Sequence, residues 1–367
     1  MSAFKNWIDR KLLTRMGEAI GDVYPTFDRK RLLAIAPKLK SLELKARVRL
    51  VRDCLHELLP SQASAAIDVL LKSTRGGLLD GFDLWPYTEF IQTYGLNEPQ
   101  KSLDALKELT VRFTGEFAVR PFLLRHPEIT LAYLDRCTTS PNVHVRRWVS
   151  EGSRPRLPWG ERLGPFIANP DPGLRLLEKL KYDSELYVRK SVANHLNDVS
   201  KDHPNRVLTL LAGWNKTVPP IHRSKIAWVT RHALRTLIKN GNVNALALIG
   251  VRAEAAVKVA ELRLNKKTFE LGEVLEFSFN LRSQAKIPQK LVIDYAVHHV
   301  KANGKTSPKV FKLKTFVIDP QESRELRKKH AIKAITTRRY YPGAHKIDLI
   351  INGQVRGEVR WNLVGRT

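Results

Sequence analysis

Apolar residues recur at steps of three and four through roughly the first 250 positions and at steps of two thereafter, so the chain predicts helices followed by strands. From Phe27-Asp28 onward, Leu32, Leu33, Ile35, Leu39, Leu42, Leu44, Val48, Val51 and Leu55 keep the helical period, which stops at Leu59-Pro60. Ala66, Ile67, Leu70 and Leu71 resume it. After Gly76-Gly77 comes an aromatic group, Phe82, Trp85, Tyr87, Phe90 and Tyr94, expected in the core rather than on a stacking platform. A further helix, carried by Leu103, Leu106 and Leu109, is expected to end near Gly115-Glu116. Beyond Val257 the period changes to two. Leu275, Phe277, Phe279 and Leu281 alternate with polar residues, as do Leu291, Ile293, Tyr295 and Val297; His345, Ile347, Leu349 and Ile351; and Val355, Gly357, Val359, Trp361 and Leu363. Asn352-Gly353 is a type I′ hairpin signal, and Asn303-Gly304 resembles it. About seven short strands in about 110 residues suggest an immunoglobulin-like sandwich without the Cys-Trp-Cys framework.

The helical part repeats itself. His144-Val145-Arg146-Arg147-Trp148-Val149 aligns with Tyr187-Val188-Arg189-Lys190-Ser191-Val192 and with Trp228-Val229-Thr230-Arg231-His232-Ala233, at offsets of 43 and 41 residues. A shorter variant, Ala118-Val119-Arg120-Pro121-Phe122, precedes them. Such spacing fits HEAT or armadillo units of about 40–47 residues, helix pairs that bury their apolar faces only by stacking. The expected fold class is multidomain α plus β: an all-α HEAT-like repeat solenoid over residues 1–255, then a basic immunoglobulin-like β-sandwich over residues 256–367. Stacked repeats would align Arg147, Lys190 and Arg231, with Arg120 and Arg189, into a track for a phosphodiester backbone. Taken singly, each of these cations could equally be a solvated or intrahelical pair, such as Arg147 with Glu151.

Composition adds a partner. The formal net charge is +27, from 63 basic and 36 acidic residues, and residues 256–367 hold 23 basic and 10 acidic of these. An excess of this size favours polyanions through counterion release, and nucleic acid leads acidic membranes or mere solubility as the reading. No apolar run reaches the roughly 18 residues of a membrane span. The start, with Lys5, Asp9, Arg10 and Lys11, lacks the apolar core of a secretory signal. Cys54 and Cys137 have no CxxC spacing, so neither a disulfide framework nor a structural zinc site is expected, and a reducing cytoplasm fits.

Candidate chemistry concentrates in residues 143–159. Val145 and Val149 mark one face of a helix, with Trp148 and Glu151 on another, and Gly152, Pro155 and Pro158 then turn the chain into a loop carrying Arg154, Arg156 and Trp159. A carboxylate beside an indole and ringed by arginines is costly to keep without a use. Each acid has a plain alternative: Glu116 as a solvated residue, Glu151 paired with Arg147 or Arg154, Asp198 paired with Lys201.

The runs Thr110-Val111-Arg112-Phe113-Thr114-Gly115-Glu116-Phe117-Ala118-Val119-Arg120-Pro121-Phe122, Arg147 to Trp159, and Val188-Arg189-Lys190-Ser191-Val192-Ala193-Asn194-His195-Leu196-Asn197-Asp198 resemble the bacterial HEAT-like repeat alkyl-base DNA glycosylases, most closely the AlkC branch. The likeness spans about residues 1–250, and an added immunoglobulin-like domain, known in part of that branch, accounts for the rest. The resemblance implies excision of 3-methyladenine, 3-methylcytosine and 1-methyladenine from double-stranded DNA, with the base left in the duplex. It also places Glu116, Glu151 and Asp198 towards the lesion as catalytic acids, with Trp148 and Trp159 as an aromatic wall. Arg120, Arg147, Arg154, Arg156, Tyr187, Arg189, Lys190 and Arg231 would contact lesion or DNA. A cationic base leaves without a proton, so carboxylates that stabilise the developing sugar cation suffice, with no metal, no cofactor and no lysine nucleophile. The expected protein is a monomeric, monofunctional enzyme of the cytoplasm and nucleoid. A non-catalytic HEAT-repeat scaffold explains charge and repeats equally well, but not acids among arginines on a face meant for phosphate.

Overall fold

A computed structural model describes residues 4–335 and 339–365. The chain forms two compact units, Met1–His203 with Pro219–Ala233, and Pro204–Val218 with Leu234–Thr367.

The first unit is helical. Asp9 and Asp28 cap their helices, their carboxylates accepting from Leu12 N and Arg31 N at 2.9 Å each. The long periodic segment expected after Asp28 is divided into helices Arg29–Ala34, Ala36–Leu39 and Leu44–Leu58. Pro37 explains the first break, since it has no N–H and its ring crowds the carbonyl four residues back. The helix Pro99–Thr110 stops short of Gly115-Glu116, and residues 111–118 are turns. Gly115 is needed there: a Cβ would lie 2.6 Å from Thr110 Oγ1 and 3.0 Å from Trp148 Nε1.

Helices Val143–Gly152, Leu186–Val199 and Arg223–Ala233 carry the three aligned hexapeptides and pack one on the next. Val145, Val149, Val188, Val192, Val229 and Ala233 are all buried, so the repeated apolar positions form the spine of the stack. Asn142 starts the first of these helices, its Oδ1 accepting from His144 N at 2.9 Å and Val145 N at 3.3 Å.

Among its described residues the second unit contains helices Pro204–Thr217, Arg235–Lys239 and Val243–Leu248 and eight strands: β1 Val257–Leu264, β2 Thr268–Glu270, β3 Val274–Ser283, β4 Gln289–Val300, β5 Thr306–Ile318, β6 Ser323–Ala331, β7 Gly343–Ile351 and β8 Gln354–Val364. They form two sheets, ordered β1-β3-β6 and β2-β8-β7-β4-β5. Pairing is antiparallel except β2 with β8. The predicted inward sets of β3, β4 and β7 are buried throughout. In β8, Trp361 and Leu363 are buried but Val355 is exposed, beyond a register shift between Leu349 and Ile350 of its partner. Asn352 (φ 49°) and Gly353 (φ 80°) make the expected turn. At Asn303-Gly304 only the glycine has positive φ, 72°, and the link is a wider turn.

Candidate active site

Three segments distant in sequence bring the acids together: the turns at residues 111–118, the end of Val143–Gly152, and the last turn of Leu186–Val199. Glu116 Oε2 accepts from Thr114 Oγ1 at 2.6 Å and pairs with Arg147 Nη1. Arg147 Nη2 also reaches Glu151 Oε1 at 3.6 Å, and its guanidinium lies 5.2 Å from the Tyr187 ring. Glu151 Oε1 accepts from Arg154 Nη1 at 2.7 Å, while Oε2 accepts from Ser191 Oγ at 2.6 Å. Arg154 Nε donates to Asp198 Oδ2 at 2.8 Å, and Lys201 Nζ closes the row on Asp198 Oδ1 at 3.0 Å.

Glu116, Arg147, Glu151, Arg154, Asp198 and Lys201 therefore alternate in sign. The alternation matters because an unpaired buried charge costs several kcal/mol, about 3–5 when one partner of a buried pair is lost. It leaves the row with no net charge in a strongly basic protein. Burial on its own would lower the Arg154 pKa, but the Glu151 charge and the bond to Asp198 outweigh it and hold the guanidinium above its ordinary value.

Glu116, Glu151 and Arg154 share the lining of one open recess. Phe82, Trp85, Phe113, Phe117 and Trp159 supply its aromatic walls. Phe82 and Phe113 meet edge to face at 5.3 Å, and Trp85 stacks over Phe117 at 6.3 Å. Trp159 is 71% exposed and holds φ at 66°, a left-handed conformation that costs a β-carbon residue about 1–2 kcal/mol. Two cations strap that segment: Lys45 Nζ donates to the Trp159 carbonyl at 2.6 Å, and Arg120 Nε to the Glu161 carbonyl at 2.7 Å. Strain maintained in this way places an indole where it would not otherwise rest. Planar aromatic walls facing carboxylates suit a flat, cationic guest.

On the helix that carries Ser191 and Asp198, His195 is fully buried, with Nδ1 at 3.1 Å from the Ser150 carbonyl. Burial pushes its pKa down to about 4, so at neutral pH the ring is uncharged and donates through Nδ1–H.

Along its whole length the chain is similar to known proteins. It is 38% identical over 358 residues to the uncharacterized protein YhaZ of Bacillus subtilis (strain 168), covering 97% of this chain and 98% of that one. Residues 258–365 match the family model described as the C-terminal Ig-like domain of uncharacterised protein YhaZ. Among solved structures, the Pseudomonas fluorescens alkylpurine DNA glycosylase AlkC, bound to DNA containing an abasic site analog, is 40% identical with a TM-score of 0.93, covering 99% of this chain and 100% of that one. The chain belongs to the AlkC family of HEAT-like repeat DNA glycosylases.

Within this AlkC-family site the residues expected from sequence fall into distinct places. Trp159 lines the recess. Trp148, expected as its companion in the aromatic wall, does not: it is 1% exposed and packs edge-on to Tyr133 in the core, 6.4 Å between ring centroids. Asp198 is 3% exposed and lies behind Arg154, outside the recess lining. Arg120, expected on the phosphate track, is buried and holds the carbonyls of Gly152 (2.9 Å), Arg154 (2.8 Å) and Glu161. Arg189 is likewise engaged internally, donating to the Asp183 and Ser184 carbonyls at 2.6 and 2.7 Å. In the preceding repeat Arg146 does the same, donating to the Ser140 and Pro141 carbonyls. Arg156 forms a two-bond pair with Asp202 at 2.8 and 2.9 Å. Of the aligned cations Lys190 and Arg231 stay exposed, as does Tyr187. Arg147 is drawn instead into the carboxylates.

Of the aromatic group expected in the core, Trp85, Tyr87 and Phe90 are buried and Phe82 is exposed, and Phe82 and Trp85 also line the recess. Phe113, Phe117, Lys45 and Ser191 were not singled out. Phe113 and Phe117, four apart around Gly115-Glu116, carried the only local signal. No helix is long and apolar enough to cross a membrane among the described residues.

Proposed function

We propose that this chain hydrolyses the N-glycosidic bond of cationic alkylated bases in double-stranded DNA, namely 3-methyladenine, 3-methylcytosine and 1-methyladenine, and leaves an abasic site. The observation that carries the reading is the pair Glu116 and Glu151 in the lining of one aromatic recess, each carboxylate held by a hydroxyl and an arginine. Similarity to a glycosylase solved on DNA with an abasic site analog supports the same reaction class.

The mechanism follows from charge. Departure of a cationic base moves positive charge onto the sugar, where fixed carboxylates stabilise it without reorganising. Glu116 and Glu151 face that centre, and Asp198 completes the set through Arg154. A water oriented by a carboxylate then attacks the sugar carbon and gives up one proton to that carboxylate, which passes it to solvent. The base takes the bonding electrons and departs neutral, so no acid is required. By resemblance to the family, the base stays in the duplex throughout, and an open recess rather than a closed pocket is compatible with that. The test is incubation with methylated duplex DNA and chromatography of the supernatant. Free 3-methyladenine is the expected product, and its absence at enzyme excess would withdraw the proposal.

A further inference from the structure

One position of the aligned hexapeptides changes chemical character from repeat to repeat, and it is buried in the first two and half-buried in the third. Where the first carries Trp148, the second carries Ser191 and the third His232. Trp148 fills the core of its layer, whereas Ser191, also buried, leaves space into which Glu151 of the preceding repeat turns its carboxylate. Ser191 Oγ stands 2.6 Å from Glu151 Oε2 and 3.0 Å from Ser150 Oγ. A hydroxyl has one proton, and a carboxylate can only accept. Ser191 therefore donates to Glu151, and the Ser150 hydroxyl donates to Ser191. The Ser150 carbonyl is in turn held by His195.

We infer that Ser191 is a positioning residue for the reaction: its hydroxyl fixes the Glu151 carboxylate from the side opposite Arg154, so that the charge is aimed at the recess before DNA arrives. The inference rests on the proposed function and adds to it a residue outside the recess lining. Its reason is geometric. Arg154 and Arg147 both approach Oε1, so without Ser191 the Oε2 oxygen has no donor, and the carboxylate is free to rotate about its last torsion towards the guanidinium groups. Transition-state stabilisation by a fixed charge falls off when the charge must be oriented during the reaction.

The test is single-turnover release of 3-methyladenine from methylated duplex DNA by the full chain, its Ser191→Ala and Glu151→Asp variants, and the double variant, with duplex affinity and thermal unfolding measured alongside. Deleting a hydrogen bond to a buried charged group corresponds to roughly 10- to 100-fold. Ser191→Ala is expected to slow excision by about that factor, with duplex affinity changed less than about twofold. On Glu151→Asp, whose shortened side chain no longer reaches Ser191, the same substitution should have little further effect. Wild-type excision by Ser191→Ala, or an equal loss in both backgrounds, overturns the inference while leaving the proposed function standing. If the unmodified protein releases no base, the proposed function fails first and this inference with it. A purely structural serine would instead lower the unfolding temperature and slow both backgrounds alike.

Discussion

Arg154 Nε lies 2.8 Å from Asp198 Oδ2, a contact that joins the loop after one repeat helix to the last turn of the next across 44 residues. The same guanidinium bonds Glu151 at 2.7 Å, so one cation ties two acids that sequence places on different elements. This explains how buried acids persist in a strongly basic protein: each is matched by a cation of the protein itself.

Removing that cation should destabilise the fold. Arg154→Ala is expected to cost the helical unit about 3 kcal/mol, the lower end of the range for a broken buried pair, because Lys201 and Ser191 still satisfy one oxygen of each acid. Arg154→Lys should recover only a fraction, since a single ammonium cannot span both carboxylates. Urea unfolding measures both, and wild-type midpoints would show that the bridge is energetically idle.

The acids themselves should matter to rate and not to affinity. Glu151→Gln is expected to lower single-turnover excision by at least about 100-fold, the scale of losing one electrostatic stabiliser. Asp198→Asn should do likewise, acting through Arg154. Removal of negative charge beside phosphates should hold or raise duplex affinity. Folded variants that excise normally would sink the assignment.

Much of this architecture was legible, and the failures have physical reasons. Period-two alternation located β3, β4 and β7, because a strand that buries one face must write every second residue apolar. Strand β2 escaped notice because three residues carry no period. Trp148 and Glu151 were placed on one face because they are three apart, yet that separation is about 60° around a helix, enough to carry one side chain into the core and the other to its edge. The aromatic walls were illegible for another reason. Phe82, Phe113 and Phe117 sit in turns and a short 3₁₀ segment, where no period shows which way a ring points.

His195 sets an acid limit on stability. Its folded pKa, about 4, lies below the ordinary histidine value of about 6.5, so the neutral form is the one folding favours. Its contribution is complete above pH 6.5 and is lost as the pH falls towards 4, up to about 3 kcal/mol for a shift of this size. His195→Gln removes the titrating group. Between pH 7.5 and 4.5 its unfolding temperature should fall less than that of the wild type, and parallel curves would mean that burial of His195 is relieved before unfolding.

Two glycines of the second unit separate conformational cost from crowding. Gly304 has φ 72° with open space where a Cβ would go, so Gly304→Ala should cost only about 1 kcal/mol. Gly353 has φ 80°, and a Cβ there would lie 2.4 Å from Gly241 Cα, a backbone atom that cannot swing aside. Gly353→Ala is expected to cost about 3 kcal/mol or more, combining strain with displacement. Equal midpoints for the two variants in urea would show that the approach of Gly241 to Gly353 relaxes freely.

The leaving group provides the sharpest division between this mechanism and acid-assisted base removal. The recess presents Glu116, Glu151 and Arg154 among aromatic rings. His195, on the same repeat helix as Asp198, is sealed in the core and uncharged at neutral pH, and its one donor proton is committed to the Ser150 carbonyl. On the proposed mechanism the departing base brings its own activation as a positive charge. Release of 3-methyladenine and 3-methylcytosine is expected, with no release of uracil from the same duplex context. The stringent control is 3-deaza-3-methyladenine, nearly identical in outline but uncharged. A site that selects by shape would bind and cleave it; a site that relies on leaving-group charge would bind it and leave the bond intact over the time in which the cationic lesion is consumed. Cleavage of the neutral analogue at a comparable rate would require a proton donor at the recess, and the electrostatic role given to Glu116, Glu151 and Asp198 would fall with that result.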